Sequence, residues 1–201
     1  MPTVPFNDPV LWFDNWFAQA QALPVPEANA MTLATVADDG QPSLRIVLLK
    51  DFDRKGFVFY TNGQSRKGYQ LAHHPLVALN FYWRELARQV RIEGGVEPVS
   101  DEEADAYFAS RPRESQLGAW ASLQSQPLDS RAALLERLAG FEARFDGQSV
   151  PRPAHWGGWR VLPSRFEFWQ AGDFRLHDRW EFRPADDQAE GHLWRIQRLF
   201  P

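Results

Sequence analysis

Three residues near the C-terminus have side-chain types and a spacing that could hold an anion: Arg175, His177 and Arg179 alternate along the chain. On an extended strand they project from one face, with Trp169 within reach across a hairpin. Two guanidinium groups and an imidazole on one face repel each other unless an anionic or electron-rich group lies over them. A phosphate or an electron-rich ring is therefore the natural ligand. The alternative is an exposed edge strand with solvated charges.

The surrounding sequence predicts the hairpin that this arrangement needs. Residues 165–170 are typical of a strand, and Ala171-Gly172-Asp173 is a turn signal. Glycine tolerates positive φ, and an aspartate side chain hydrogen-bonds its own backbone. We therefore expect the chain to return as a second strand that carries the cations.

Two further stretches place cations where a ligand could bind. Arg45-Ile46-Val47-Leu48-Leu49-Lys50 is an apolar run with a cation at each end. Positions 45 and 50 face opposite ways on a regular strand, so two adjacent ligands could each take one cation. Flanking cations can equally mark where a buried strand reaches solvent.

The second stretch places hydroxyls and cations at a helix start: Tyr60-Thr61 and Ser65-Arg66-Lys67. The free N–H groups of a helix start favour a bound anion. Cations there oppose the helix dipole, so they would be misplaced if they served only stability.

A third set recurs at intervals of four residues. Tyr107 and Arg111 share a predicted helix face, and Ser115 follows after Pro112 ends that helix. Two hydroxyls and a guanidinium make a second candidate phosphate site, or they only cap a helix end. Three polar residues carry no independent signal: Gln89, Gln124 and Ser125.

Composition excludes several classes of protein. The 201 residues are 44% hydrophobic and 24% charged, which favours one globular domain over residues 1–201. A net charge of −4 argues against nucleic-acid binding. The absence of cysteine removes disulfides and thiolate chemistry, and no His/Asp/Glu set has metal-ligand spacing, so we expect no metal. No apolar run of about 18 residues predicts a membrane span, so we expect a cytoplasmic protein.

Nucleotide-binding glycine motifs are missing as well. Neither Gly-x-Gly-x-x-Gly nor Gly-x-x-x-x-Gly-Lys-Ser/Thr occurs, so side chains would have to hold a phosphate-bearing cofactor. Nine Trp and fifteen Phe exceed the needs of a minimal core, which suits a flat ring ligand or a large subunit interface.

Periodicity and capping residues predict a mainly antiparallel β protein with peripheral helices (α+β). We expect helices at about 8–22, 66–73, 101–111, 113–121 and 130–145. We expect strands at 31–36, 43–50, 56–61, 76–83, 87–98, 159–163, 165–170, 177–183 and 192–198. Turns are expected at 51–55 and at a solvated tip, 186–191. Tight turns without crossover helices favour an antiparallel sheet or barrel.

These motifs together resemble the pyridoxamine 5′-phosphate oxidase family. The C-terminal signature is Glu167-Phe168-Trp169-Gln170, four residues, then Arg175-Leu176-His177-Asp178-Arg179. Further motifs stand in family order from about residue 8 to the end, with the C-terminal signature region at about 155–201. They are Met31–Val36, Arg45–Lys50, Phe57–Thr61, Ser65–Lys67, Gln89–Arg91, Tyr107–Arg113, Ser115–Ala121 with Gln124-Ser125, and His155–Gly158.

The resemblance implies a split β-barrel homodimer with FMN in the cleft between subunits. By family role, FMN would be held by Arg45, Ile46, Val47, Leu48, Tyr60, Thr61, Ser65, Arg66, Lys67, Gln89, Gln124, Ser125, Trp169 and Arg179. The substrate phosphate would be held by Lys50, Tyr107, Arg111 and Ser115. Arg175 and His177 would lie over the reacting end of the substrate as catalytic residues.

The implied reaction converts pyridoxamine or pyridoxine 5′-phosphate to pyridoxal 5′-phosphate, a vitamin B6 cofactor. FMN takes a hydride from C4′ and O2 reoxidises it, which yields H2O2, and ammonia is released from the amine. Family members commonly carry an N-terminal arm that folds over the substrate. About seven residues precede the first predicted helix here, so we expect that lid to be missing or supplied differently. Glu27 stands where the family often has Asp.

Two other functions remain open. A phenazine-biosynthesis flavin oxidase shares this fold but acts on a bulky tricyclic substrate without a phosphate. Such a substrate would not need the phosphate-binding set Lys50, Tyr107, Arg111 and Ser115. A flavin-binding split barrel without turnover is consistent with a missing lid, but not with retention of Arg175 and His177.

Overall fold

The computed structural model describes residues 6–24, 27–185 and 194–201, which contain five α-helices and nine β-strands. The helices are α1 (Pro9–Gln21), α2 (Arg66–His73), α3 (Asp101–Ser110), α4 (Arg113–Ala121) and α5 (Arg131–Arg144). The strands are β1 (Ala30–Val36), β2 (Pro42–Leu48), β3 (Asp51–Asp53), β4 (Gly56–Asn62), β5 (Leu76–Trp83), β6 (Arg88–Pro98), β7 (Trp156–Gln170), β8 (Asp178–Pro184) and β9 (Trp194–Leu199). Short 3-10 helices occupy Arg84–Leu86 and Asp173–Arg175.

The strands form one antiparallel sheet, as predicted. Its main path runs β2-β1-β5-β6-β7-β4-β3. The long strand β7 pairs with β6 on one side, and on the other with β4 at its start and β8 at its end. β9 then pairs with β8. A sheet that divides along one strand in this way curls around its core.

Two predicted strands, 159–163 and 165–170, are one continuous strand in the structure. Arg165 pairs with Glu93 and Pro163 with Gly94, so Ser164 is the extra residue of a β-bulge. A Cβ added at Gly94 would lie 2.0 Å from the Leu162 carbonyl oxygen, so the close approach requires glycine. The prediction was wrong because a bulge interrupts side-chain alternation without ending the strand.

The predicted turn at 51–55 is also shorter than expected. Asp51–Asp53 forms the short strand β3 against β4. The Asp53 side chain accepts hydrogen bonds from the N–H groups of Lys55 (2.8 Å) and Gly56 (3.1 Å). The turn therefore contracts to Arg54 and Lys55, with Asp53 as its local acceptor.

The core lies between α1 and the sheet. Asp8 caps α1 by accepting from the N–H of Val10 at 2.9 Å. Trp12 stacks on Phe168 with ring centroids 4.4 Å apart, and the Phe13 ring lies 4.9 Å from both Phe57 and Phe81. This aromatic contact joins the first helix to strands that are distant in sequence.

A second apolar cluster joins the helices α3 to α5 to the start of β7. Its buried members are Phe108, Leu117, Phe145, Val150 and Trp156. Serines cap three of the helices: the side chains of Ser65, Ser100 and Ser130 accept the first-turn N–H groups of α2, α3 and α5. The second cluster positions the Tyr107–Ser115 segment beside β4.

The predicted hairpin tip at 186–191 lies outside the described residues, as do the first two residues of the strand expected at 192–198. None of the helices in the described part of the chain is long and apolar enough to cross a membrane.

Candidate functional site

A group of cations around Arg45 and Lys67 is held entirely by neutral oxygens. Arg45 donates to the hydroxyls of Thr35 (2.6 Å) and Ser43 (2.7 Å). Lys67 donates to Thr61 Oγ1 (3.0 Å) and Gln124 Oε1 (3.1 Å). We name Arg45, Arg66 and Lys67 the cation cluster. Among the described residues none of its members forms a salt bridge.

The electrostatics of the cation cluster favour an anion. Burial lowers the pKa of Arg45, and the nearby Arg66 lowers it further. Burial also lowers the pKa of Lys67, with a second contribution from Arg45. Each charge is thus disfavoured by its neighbours and by loss of water, and a bound phosphate would relieve both effects.

Local structure explains how the chain places these groups. Ser65, predicted to bind a cofactor, is fully buried and serves as the N-cap of α2, with Lys67 Nζ 3.5 Å from its hydroxyl. A Cβ at Gly68 would lie 2.3 Å from the Gly63 carbonyl oxygen, so helix α2 begins in close contact with the end of β4. Thr61, the next-to-last residue of β4, therefore lies beside Lys67.

A second group surrounds three stacked rings. The Tyr60 ring lies against Tyr107 (centroids 4.1 Å apart) and Trp156 (5.2 Å), the Tyr107 and Trp156 centroids are 6.2 Å apart, and all three rings are nearly parallel. The Arg111 guanidinium lies over Trp156 at 4.8 Å, and Lys50 Nζ is 6.0 Å from the Tyr107 centroid. Burial raises the pKa of Tyr60 to about 12, so its hydroxyl is protonated at neutral pH. The structure thus brings together Lys50, Tyr107 and Arg111.

Two cavities are lined in part by residues of this group: one of about 460 Å³ by Lys50, and one of about 350 Å³ by Arg111 and Ser115. Arg111 Nη1 is buried and has no hydrogen-bond partner among the residues that the structure describes. Thr61 and Gln124, which bind Lys67, line the same cavity. The cation cluster and the Arg111 cavity are therefore neighbours.

A third group lies across the strands β6, β7 and β8. Gln89 pairs with Trp169, and Trp169 with Arg179, so the three form one row on one sheet face. The Trp169 and His177 rings are 4.7 Å apart. The Gly172 N–H donates to His177 Nδ1 at 3.2 Å, which leaves Nε2 to carry the proton of the neutral ring. No hydrogen bond, ion pair or ring contact within the described chain joins this group to the first two.

The prediction that Arg175, His177 and Arg179 project from one face of a strand is wrong. β8 begins at Asp178, and Asp173–Arg175 is a 3-10 turn closed by the Leu176 N–H on the Asp173 carbonyl (2.9 Å). Phe174 and Arg175 have φ of 55° and 64°, which no regular strand permits. Arg175 and His177 therefore lie in the β7–β8 connection, and only Arg179 of the three belongs to the strand.

The expected repulsion between these cations is also relieved from within the chain. Glu167, only 3% exposed, accepts from Arg179 at 2.8 Å and from Arg91 at 3.1 Å. It belongs to an arginine–glutamate network on one face of strands β6 to β8, formed by Arg91, Glu93, Arg165, Glu167, Arg179, Glu181 and Arg183. Sequence reasoning missed this role of Glu167, although alternation places it on the Trp169 face of β7.

The network should contribute strongly to stability. Hydrogen bonds from Arg183 first, then from Gln197 and Arg165, lower the pKa of Glu181 from 4.5 to about 2. A depression of this size corresponds to about 3 kcal/mol at neutral pH. The folded-state pKa is the lower one, so this contribution is complete above about pH 4.5 and is lost as the pH falls towards 2. Glu181→Gln should therefore lower the free energy of unfolding by about 2–3 kcal/mol at pH 7.

Urea unfolding at fixed protein concentration and several pH values tests this expectation. The difference between Glu181→Gln and wild type should shrink below pH 4.5, because a protonated glutamate resembles glutamine. Glu97→Gln is the matched control, since Glu97 is exposed on β6. A difference that stays constant between pH 7 and pH 3 would contradict the assignment.

The remaining predicted cofactor residues lie on β2 and in the α4–α5 connection. Ile46 is 62% exposed on this edge strand, Val47 packs on the core, and Leu48 ends the strand. Lys50 lies beyond β2, so the strand-parity argument for Arg45 and Lys50 does not apply. Ser125, with φ of 75°, lines a separate cavity of about 210 Å³ together with Gln124.

Comparison with known families gives two matches. Residues 17–143 match the family described as pyridoxamine 5′-phosphate oxidase. Residues 156–201 match the pyridoxine 5′-phosphate oxidase C-terminal dimerisation region.

Curated relatives agree with these matches over almost the whole chain. A pyridoxine/pyridoxamine 5′-phosphate oxidase of Nostoc sp. is 55% identical over 194 residues, 96% of this chain and 89% of the relative. Proteins of the same name from Sphingopyxis alaskensis and Burkholderia multivorans are each 57% identical. They cover 94% and 96% of this chain, and 88% and 89% of their own lengths.

Two solved structures are similar throughout. PhzG from Burkholderia lata, in complex with tetrahydrophenazine-1-carboxylic acid, superposes with a TM-score of 0.90 at 32% identity, over 98% of this chain and 94% of that one. A pyridoxamine 5′-phosphate oxidase-related, FMN-binding protein from Nostoc punctiforme superposes with a TM-score of 0.74 at 16% identity, over 100% and 99%. The fold is the FMN-binding split β-barrel that the family resemblance implied.

Proposed function

Because the chain belongs to the pyridoxamine 5′-phosphate oxidase family, we propose that it oxidises pyridoxamine 5′-phosphate and pyridoxine 5′-phosphate to pyridoxal 5′-phosphate, as a cytoplasmic FMN-dependent homodimer. The chemistry that FMN supplies when bound is hydride acceptance from C4′ and reoxidation by O2. The products are the aldehyde and H2O2, together with ammonia from the amine. The chain itself binds and orients the two reactants.

The observation that carries this proposal is that two cationic sites are neighbours and that, among the described residues, no carboxylate bonds the cation cluster or lines the Arg111 cavity. The cation cluster fits the phosphate of FMN, since its hydrogen-bond partners among the described residues are neutral. The Arg111 cavity fits a second phosphate, because the buried Nη1 lacks an acceptor that a phosphate oxygen would provide. A cofactor and a substrate that each carry a phosphate account for both sites.

The third group supplies the reacting end of the site. In our proposal Trp169, Gln89 and Arg179 contact FMN, and Arg175 and His177 orient the substrate ring and its C4′ substituent. Fixing C4′ against the flavin is the main task of the protein, because a misplacement of about 1 Å can cost about 10²-fold in rate.

A second copy of the chain would bring the third group to the first two. The sheet face that carries Gln89 and Trp169 also carries Leu44, Ile46 and Tyr82, which are 72%, 62% and 58% exposed. An exposed apolar patch of this kind is typical of a subunit interface. The match of residues 156–201 to a dimerisation region supports the same arrangement.

The likeness to PhzG supports one alternative, an FMN oxidase that acts on a tricyclic substrate. A substrate without phosphate would leave Arg111 Nη1 unsatisfied. The higher identity to the curated pyridoxine/pyridoxamine 5′-phosphate oxidases also favours the phosphate substrates.

The test is to purify the protein, record its flavin absorbance, and follow aldehyde and H2O2 formation from both phosphates in air. We expect bound FMN and turnover of at least one substrate. Bound FMN with no turnover of either phosphate, but oxidation of tetrahydrophenazine-1-carboxylic acid, would favour the alternative. Bound FMN without any turnover would indicate a flavin-binding protein.

A further inference from the structure

The two hydroxyls that accept hydrogen bonds from Arg45 each need an acceptor for their own O–H group. A guanidinium only donates, so Thr35 Oγ1 and Ser43 Oγ must both act as acceptors towards it. Each hydroxyl then has one proton to place elsewhere. Gln70 Oε1 accepts both, from Thr35 at 2.6 Å and from Ser43 at 3.0 Å.

Two of these three side chains are shielded from water, while Ser43 is partly buried. Thr35 is fully buried and Gln70 is 2% exposed. Turning the Gln70 amide would point its NH2 group at two hydroxyls that are already committed to Arg45. The Thr35 and Ser43 hydroxyls lie 3.4 Å apart, so at most one of them could then donate to the other, and both are satisfied only when the amide oxygen faces them.

Gln70 also connects the elements that carry the cations. It lies on α2, one turn after Arg66 and Lys67, and reaches Thr35 on β1 and Ser43 on β2. Its neutral side chain fixes the Arg45 fork without cancelling the positive charge. A glutamate here could accept the same two protons but would place a negative charge beside the cluster.

Building on the proposed function, we propose that Gln70 is a positioning residue of the FMN phosphate site: through Thr35 and Ser43 it orients Arg45 and keeps that site positively charged. Gln70 contacts neither reactant in this proposal. Its role is to set which hydroxyl atoms accept, and hence where the guanidinium points.

The test compares FMN with riboflavin, which lacks the phosphate, in titrations of the full-length protein after removal of bound flavin. Gln70→Met removes the acceptor at similar volume, and Gln70→Glu keeps the acceptor but adds negative charge. Both should weaken FMN binding by about tenfold or more and leave riboflavin binding nearly unchanged. We compare the variants by the ratio of the riboflavin and FMN dissociation constants. Ser43→Ala should lower this ratio as the Gln70 variants do, but by less.

Gln41→Met and Gln41→Glu are matched controls, because Gln41 is exposed in the β1–β2 hairpin and, within the described ranges, its side chain bonds only the Pro42 carbonyl. They should keep the wild-type ratio. Equal losses for both flavins in the Gln70 variants would reduce Gln70 to a structural role and overturn the inference, as would an unchanged ratio. If the Gln70 variants do not fold, Ser43→Ala decides by the same ratio. A wild-type protein with no preference for FMN would overturn the proposed function and this inference with it.

Discussion

Replacing Arg175 by alanine is expected to lower kcat by about 10²-fold or more, while bound FMN stays close to the wild-type level. The Arg175 side chain is exposed and makes no hydrogen bond or ion pair with any residue in the described ranges. The backbone contacts of Gly172 and Leu176 hold the turn, so the side chain adds little to the fold. The Arg175→Ala variant therefore lacks mainly the proposed contact between this side chain and the substrate.

The measurement is kcat and KM for both phosphates, beside the flavin absorbance of the purified variant. Alanine is a fair replacement at φ of 64°, because arginine and alanine both carry a Cβ and bear the same backbone strain. Arg175→Lys separates charge from the planar fork and should recover part of the loss. Arg84→Ala, in the exposed 3-10 turn before β6, is the control. Parallel loss of FMN and turnover would refute the role of Arg175.

Most of the fold could be predicted from the sequence, because its elements are specified locally. Serine caps, the prolines and period-two alternation placed α2, α4 and β5 at their observed bounds. The errors occurred where a long-range contact overrides the local pattern. The bulge at Ser164 depends on the register between β6 and β7, and β3 exists only because β4 lies beside it.

The candidate site was predictable in its residue types but not in its geometry. Arg175 and His177 were named as candidates, yet their strand placement failed because a positive φ at two consecutive residues leaves no mark that alternation can detect. Glu167, Gln70, Thr35 and Ser43 were missed for a related reason. Glu167 and Thr35 bind arginines on neighbouring strands, and Gln70 of α2 reaches Thr35 and Ser43 on β1 and β2, so these pairings appear only when the elements are packed together. Sequence periodicity predicts which side chains share a sheet face, but their contacts with neighbouring strands determine what that face can bind.

Arg111→Met should produce a comparably large effect, but on a different quantity. The buried Nη1 has no partner within the described chain, so in our proposal it donates to the substrate phosphate. Losing a charge-assisted hydrogen bond in a half-buried site should lower kcat/KM by about 10²-fold, mainly through KM. The FMN:riboflavin preference should not change, since the cation cluster is intact.

Steady-state kinetics with pyridoxamine 5′-phosphate and with unphosphorylated pyridoxamine separate the alternatives. Wild type should strongly prefer the phosphate, and Arg111→Met should lose most of that preference, because only the phosphate contacts the missing guanidinium. Arg131→Met, at the exposed start of α5, is the control and should keep it. If Arg111→Met keeps the preference but loses its affinity for FMN, then Arg111 belongs to the cofactor site. Substrate phosphate recognition would then rest on Lys50 or Ser115, and the two-site interpretation of the cavity would have to be abandoned.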